Sequence, residues 1–245
     1  MDFFLHILYY MKYLKLVRNI TSIALLISFI FVCSIMYSTE LQYVFNYHND
    51  KVIYSGNKNN NNVSLMFNVY WGTEYIDDIL SICNKYDIKA TFFLGGSWVE
   101  GNLDKVLNIY LEGHEIGNHG YLHKDHSVLD YDLNAQEINA TNNLIKEYIG
   151  IDMNLFAPPS GEFNDATIMS CDNLNYNIIM WSRDTIDWRD QDSNVIYNRA
   201  INNLNNGDLI LMHPTKATVK ALPMIITYIL ANDFNLTTVS NNVFS

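Results

Sequence analysis

Three histidines follow a short apolar run near the middle of the sequence. His119, His123 and His126 lie in the segment EIGNHGYLHKDH, and four positions separate the first two imidazoles. On one turn of a helix, two histidines at this spacing share a face and can bind one metal ion. Histidines in a loop are also found solvated or hydrogen-bonded without a metal. The spacing alone therefore leaves both interpretations open.

Short apolar runs are the predicted strands that would position such groups: residues 63–69, 88–95, 114–119, 154–158, 176–182, 208–213 and 235–239. Segments with helical periodicity lie between them, at residues 74–86, 104–113, 133–149, 195–205 and 219–232. This alternation predicts an α/β domain with a parallel sheet, either open or closed into a barrel. Reactive groups of such folds collect at the carboxyl ends of the strands, here residues 68–72, 119–126, 158–161, 184–188 and His213.

Five segments taken together resemble, in order and spacing, the motif pattern of the polysaccharide deacetylase family (NodB homology, carbohydrate esterase family 4). They are KATFFLGGSW, GHEIGNHGYLH, APPSG, MWSRDTIDW and LILMHPT, and the resemblance covers about residues 63–240. The segment WGTEY, which begins at Trp71, is most similar to the sporulation-type peptidoglycan deacetylase branch. The resemblance implies a distorted (β/α) barrel of about seven parallel strands and an N-acetylated polysaccharide, peptidoglycan or chitin-like, as the substrate.

The resemblance also implies roles for individual residues. Family members hold a divalent metal, usually zinc, on one Asp and two His, and metal-bound water attacks the N-acetyl carbonyl. By motif, His119 and His123 match the metal-binding histidines. His213 matches the acid that protonates the leaving amine, and Asp187 matches the carboxylate paired with it. Three further residues match substrate-binding positions: Trp188, as an apolar wall for the acetyl group, with Pro159 and Ser160.

The sequence departs from the family pattern on the side of the catalytic base. The usual Phe-Asp-Asp-Gly begins here as Phe67-Asn68-Val69, so an amide replaces the base and an apolar side chain replaces the metal-binding carboxylate. An asparagine amide is not basic and cannot accept the proton. The arginine that pairs with the base is Ala157 in this chain. Losing both ionic partners avoids an unpaired buried charge, which costs about 3–5 kcal/mol, so the sequence predicts a remodelled site.

Replacements for the missing groups are conceivable. His126 could join His119 and His123 as a third metal ligand, although a solvated turn at residues 124–126 is the favoured interpretation. Three acidic residues are candidates for a replacement base, with helix capping as their alternative role: Glu74, Glu162 and Asp184.

Two functions of different classes follow from these observations. The first is metal-dependent removal of N-acetyl groups from a cell-surface glycan, which the retained histidines and Asp187 favour. The second is a membrane-tethered glycan-binding or assembly module without turnover, which Asn68, Val69 and Ala157 favour. Hydrolysis of an O-acetyl ester is a third possibility, since its leaving group needs less protonation. We predict a hydrolase with a degenerate base, with the inactive binding module as the alternative.

The N-terminal segment predicts a membrane anchor. Residues 20–37 contain no charge or proline and would span about 27 Å as a helix, close to the thickness of a bilayer. Basic residues precede this stretch and acidic residues follow it, which predicts a cytoplasmic N-terminus and an exported domain. A cleaved signal peptide is the alternative, but the exit from the stretch lacks a small-x-small cleavage pattern.

The predicted division of the chain has four parts. Residues 1–19 form a basic leader, residues 20–37 the anchor, residues 38–62 a polar, asparagine-rich stalk, and residues 63–245 the deacetylase-like domain. Met11 opens a complete basic leader of its own and is an alternative start of translation.

Composition excludes some other functions. The net charge of -11 disfavours nucleic-acid binding, which needs clustered lysines and arginines. Cys83 and Cys171 lie in helix-like patterns without Cys-x-x-Cys spacing, which predicts buried free thiols instead of a metal cluster or a redox pair.

Overall fold

The computed structural model describes residues 2–245, apart from the side chains of residues 2, 4 and 39–50. The chain divides into two compact units, Met1–Asn49 and Asp50–Ser245. Helix α1 (Asp2–Lys51) contains a 34-residue stretch, Leu5–Ser38, that is long and apolar enough to cross a membrane by length and composition. The predicted anchor at residues 20–37 lies within this stretch.

Strands and helices alternate along the second unit. The strands are β1 (Val52–Ile53), β2 (Asn62–Val69), β3 (Thr91–Leu94), β4 (Glu115–Asn118), β5 (Leu155–Phe156), β6 (Asn177–Ile179), β7 (Arg183–Asp184), β8 (Leu209–Met212) and β9 (Asn235–Leu236). The helices are α2 (Ile76–Lys85), α3 (Gly96–Gly101), α4 (Leu103–Leu111), α5 (Tyr131–Ile149), α6 (Asp165–Asn173), α7 (Ser193–Ile201), α8 (Lys216–Ala231) and α9 (Val239–Val243).

The strands form one parallel half-barrel. Their order is β1-β6-β5-β4-β3-β2-β8-β7, with β9 added beside β2, and every pair is parallel. The predicted α/β fold with parallel strands is confirmed. Among the residues that the structure describes there are nine strands instead of about seven, because β1 and β7 contain two residues each and are too short to show a periodicity.

The predicted stalk differs from the structure in its second half. Val52 and Ile53 pair with β6, and the folded unit starts at Asp50 instead of residue 63. The backbone N–H of Gly56 donates to the carbonyl of Gly207 (2.7 Å), and that of Asn57 donates to the carbonyl of Asn242 (2.9 Å). Because these bonds use the backbone and reach partners far along the chain, the asparagine-rich sequence gave no sign of them.

Successive side chains along each strand point alternately to the interior of the half-barrel and to its helix-covered face. A buried cluster fills the interior and includes Met66, Phe93, Ala157 and Leu211. Asn68 follows Met66 on the same face of β2, since side chains two positions apart point the same way. Cys83 and Cys171 are free and buried, as predicted, and burial raises the pKa of the Cys83 thiol to about 12.

One buried histidine makes the fold sensitive to acid. His114 is 5% exposed, its Nδ1 accepts a hydrogen bond from the Ala90 N–H (3.1 Å), and burial, followed by the charge of Lys89, lowers its pKa from 6.5 to about 4. The unfolded chain therefore binds more protons than the folded chain between these two pH values, and stability falls as the pH drops through them.

We expect His114→Leu to reduce this acid sensitivity. The variant loses the bond to Ala90 and also a buried Nε2 that has no partner among the described residues. The stability of the wild type relative to the variant should fall by up to about 3 kcal/mol between pH 6.5 and pH 4, since only the wild type must keep an imidazole neutral at position 114. Urea unfolding of both proteins across this pH range measures the difference, and a constant difference would contradict a buried neutral His114.

Candidate functional site

A cleft of about 500 Å³ opens at the carboxyl ends of the strands. Its lining combines polar and aromatic side chains from several strand ends: Asn68, Tyr70, Trp71, His119, His123, Ser160, Trp181, Asp184, Trp188, Leu211 and His213. Seven of the candidate residues named from the sequence therefore line one cavity: Asn68, His119, His123, Ser160, Asp184, Trp188 and His213. Pro159 is buried beside it and does not belong to the lining.

The first two histidines form a pair on one wall of the cleft. The His119 Nδ1–H donates to the carbonyl of Ala157 (2.7 Å), which leaves Nε2 as the nitrogen available to a ligand. The ring of His123 lies 5.0 Å from that of His119, centroid to centroid. Burial, with a smaller contribution from His123, lowers the pKa of His119 to about 3, and burial also lowers the pKa of His123. Both imidazoles are therefore neutral at pH 7.

A loop, instead of a helical turn, brings this pair together. Gly120 has φ 70° and His123 has φ 53°, so the chain reverses sharply after β4. The carboxylate of Glu137 on α5 holds the loop by accepting hydrogen bonds from the backbone N–H groups of Tyr121 (2.9 Å) and Leu122 (2.7 Å). Glu137 also pairs with Lys124 (2.8 Å). Glu137 was not among the residues predicted from the sequence, although an acidic residue on the buried face of a helix is a signal that could have indicated it.

The structure contradicts both interpretations of His126. Its side chain is fully buried, packs against Phe156, and contacts the Asn134 side chain through Nδ1 (2.6 Å). It is therefore neither a solvated turn residue nor part of the cleft lining. Helix α5 supplies Asn134, and a buried imidazole needs such a polar partner.

An acid pair, Asp187 and His213, forms another wall. Asp187 is fully buried and accepts hydrogen bonds from the His213 Nδ1 (2.8 Å) and the His213 backbone N–H (2.7 Å). The Thr218 hydroxyl on α8 donates a third bond to the same carboxylate (2.5 Å). The Trp71 ring lies parallel to the His213 imidazole, 5.9 Å away. The acid pair was predicted from the sequence, whereas Thr218 and the contact with Trp71 were not.

The opposite part of the site lacks charged groups. Asn68 is 4% exposed, and its Oδ1 is buried without a hydrogen-bond partner among the described residues. Val69 is fully buried but absent from the cleft lining, because it follows Asn68 on the strand and points to the other face. Ala157 is fully buried in the apolar cluster inside the half-barrel.

The side chains present do not fit a three-ligand metal site. Catalytic zinc is normally held by three protein ligands with a fourth position open for water. Among the residues that the structure describes, no three His, Cys, Asp or Glu side chains lie close enough together to hold a metal ion. The proposed set of His119, His123 and His126 is therefore not formed. Of that set, His119 and His123 line the cleft, which also contains His213.

Of the three candidate replacement bases, one reaches the cleft. Glu74 and Glu162 are exposed and lie outside the lining. Asp184 lines the cleft, and its Oδ1 accepts a hydrogen bond from the backbone N–H of Ile186 (2.8 Å). This bond turns the chain toward Asp187 and gives Asp184 a structural role.

Comparison with known proteins agrees with the predicted resemblance. The model of the polysaccharide deacetylase family matches residues 55–179. Uncharacterized protein YlxY of Bacillus subtilis is 40% identical over 188 residues, which cover 77% of this chain and 59% of that protein. A peptidoglycan-N-acetylglucosamine deacetylase of Bacillus cereus is 32% identical over 71% of this chain and 65% of its own length. The chain thus spans about two thirds or less of these relatives.

A solved structure is also similar. BA3943, a CE4 family pseudoenzyme from Bacillus anthracis, has a TM-score of 0.76 and 37% identity, covering 78% of this chain and 68% of that chain. A mutant of BA3943 with restored enzymatic activity has the same TM-score and 35% identity. The family resemblance and the parallel fold predicted from the sequence are confirmed.

Proposed function

Because the chain belongs to the polysaccharide deacetylase family, we propose that it binds an N-acetylated cell-wall glycan in the cleft without hydrolysing it. One observation carries this proposal: the cleft keeps its aromatic walls and His213 with its partner Asp187, but Asn68 occupies the position of the base and no three-ligand metal group is formed among the described residues. The similarity to a family pseudoenzyme and to a peptidoglycan deacetylase supports both parts of the proposal.

Amide hydrolysis needs a group that activates water and a group that protonates the leaving amine. The acid pair can serve the second step through His213. Asn68 cannot serve the first, since its amide does not accept a proton. Family enzymes generally depend on a divalent metal to activate water, and this chain offers two imidazoles for it. The cleft can therefore hold the substrate without completing the reaction.

The walls of the cleft suit a sugar chain. Trp71 is 43% exposed and Trp188 is 53% exposed, although both are large apolar side chains. Tyr70 and Trp181 complete the aromatic lining. Exposed aromatic rings at a cleft with a few polar groups are typical of ligand sites, and they can pack against the apolar face of a pyranose ring.

Zinc-dependent N-deacetylation is the second candidate function. The intact acid pair, with 2.8 Å between the His213 Nδ1 and Asp187, favours it, since a binding module does not require an acid. It would need a metal held by His119 and His123 with further ligands from water or substrate, and a base other than Asn68.

We also propose that α1 anchors the protein in the cell membrane with the domain outside the cytoplasm. Its apolar stretch supports the anchor. The basic residues Lys12, Lys15 and Arg18 before residues 20–37 support a cytoplasmic N-terminus. A cell-wall glycan is accessible only from that outer side.

Binding of a β-1,4-linked N-acetylglucosamine hexamer to the full-length protein in detergent tests the proposed function. We expect saturable binding by calorimetry and about tenfold weaker binding for Trp71→Ala and for Trp188→Ala. Tyr54→Ala is the control, since Tyr54 is an exposed aromatic residue outside the lining. Absence of binding, or equal weakening by Tyr54→Ala, would rule out a glycan site in the cleft.

A further inference from the structure

The cleft contains one side chain whose hydrogen-bonding capacity the protein leaves unused. Asn68 is 96% buried, since 4% of it is exposed, and its Oδ1 has no donor among the described residues. Asn68 lines the cleft from the end of β2, and rotation of its amide about χ2 can present either Oδ1 or Nδ2 to a ligand. Buried amide oxygens in native proteins are normally hydrogen-bonded, so a partner from outside the chain is expected at this place.

The surrounding residues explain why the chain supplies no donor. Phe93 lies beside Asn68 on β3 and offers no polar side-chain atom. At the position where family members carry an arginine, Ala157 contributes a methyl group to the apolar cluster. Neither of these two side chains can therefore donate to the Asn68 Oδ1.

We propose that Asn68 recognises the acetamido group of the bound glycan, so that the cleft selects N-acetylated over deacetylated sugars. An amide side chain offers one acceptor and one donor group. Its Oδ1 would accept from the acetamido N–H, and its Nδ2 would donate to the acetamido carbonyl. This inference rests on the proposed glycan binding, and it adds that the acetamido group is the part of the sugar that Asn68 recognises. No bond is formed or broken, because the group is bound and released unchanged.

The other walls of the cleft favour the same group. Leu211 and Trp188 can contact an acetyl methyl group. A glucosamine unit carries an ammonium in place of the acetamido group, and it lacks the methyl group that these two apolar side chains can contact. The cleft thus distinguishes a neutral amide from an ammonium.

Binding of two oligomers under metal-free conditions tests this proposal. The full-length protein in detergent with EDTA is titrated with hexamers of N-acetylglucosamine and of glucosamine. We expect the acetylated hexamer to bind at least about tenfold more tightly, which corresponds to about 1.4 kcal/mol. The chelator prevents turnover, so only binding is measured.

Two substitutions assign the selectivity to Asn68. Asn68→Leu keeps the volume but removes both hydrogen bonds, and it should weaken binding of the acetylated hexamer about tenfold without changing that of the other hexamer. Asn68→Asp keeps the shape, loses the donor and adds a negative charge, so the preference should disappear or reverse toward the ammonium form. Thermal melting confirms that each variant is folded.

The outcomes separate this proposal from the proposed function. If both hexamers bind the wild type equally, or if Asn68→Leu binds the acetylated hexamer as well as the wild type does, glycan binding stands and recognition by Asn68 is wrong. If neither hexamer binds, the proposed function itself fails, and this inference fails with it.

Discussion

Replacing Asp187 by alanine is expected to lower the free energy of unfolding by about 3–5 kcal/mol. The carboxylate is fully buried and satisfies three donors: the backbone N–H and the Nδ1 of His213, and the Thr218 hydroxyl. Its removal leaves all three without a partner in a space closed to water. Urea unfolding followed by tryptophan fluorescence measures the loss.

Two variants calibrate this prediction. Asp104→Ala is the matched control, since 74% of that side chain is exposed, and it should change stability by less than about 1 kcal/mol. Thr218→Val removes one donor while keeping the shape and should cost about 1–2 kcal/mol. A loss below 1 kcal/mol for Asp187→Ala would show that water reaches the acid pair and that the pair does not hold β8 to the segment after β7.

Replacing Ala157 by arginine is expected to lower the free energy of unfolding by about 3–5 kcal/mol. Adding Asn68→Asp should restore part of that stability. Arginine alone would place an unpaired cation in the apolar interior occupied by Ala157. An aspartate at position 68 would supply the ionic partner that relatives have. A double-mutant cycle isolates the coupling between the two positions, which should favour the double variant by at least about 1 kcal/mol.

Ala157→Leu serves as the control for size. It enlarges the side chain without a charge and should cost about 1–3 kcal/mol through overpacking. If Ala157→Leu lowers the free energy of unfolding as much as Ala157→Arg does, the loss of stability comes from the larger volume. If the change in the double variant equals the sum of the changes in the two single variants, positions 68 and 157 do not interact. Their joint replacement in this chain was then not a remodelled ion pair.

The sequence predicted the fold and much of the cleft for a physical reason. Apolar runs alternating with helical periodicity identify parallel strands, and reactive groups then follow at strand ends. Each of the predicted strands is present: β2 (Asn62–Val69) is one residue longer than predicted, and the others are shorter. Asn68, His119 and His213 line one cleft because each lies at or after the end of a strand.

Contacts between distant segments could not be predicted in this way. The asparagine-rich segment joins the domain through backbone hydrogen bonds, which no side-chain pattern shows. His126 is buried because Asn134 on α5 contacts it, and Glu137 on the same helix fixes the loop before it. Thr218 reaches Asp187 from an α8 turn whose sequence gave no sign of that contact. Each case depends on a tertiary partner that the local sequence does not specify.

Release of acetate from an N-acetylglucosamine hexamer distinguishes binding from hydrolysis in this cleft. Full-length protein in detergent is incubated with a saturating amount of the hexamer, with zinc or with EDTA, beside an active family deacetylase. We expect bound hexamer and no acetate above the protein-free control under either condition. Zinc-dependent acetate release that His119→Ala abolishes would contradict it and establish a deacetylase with an unidentified base.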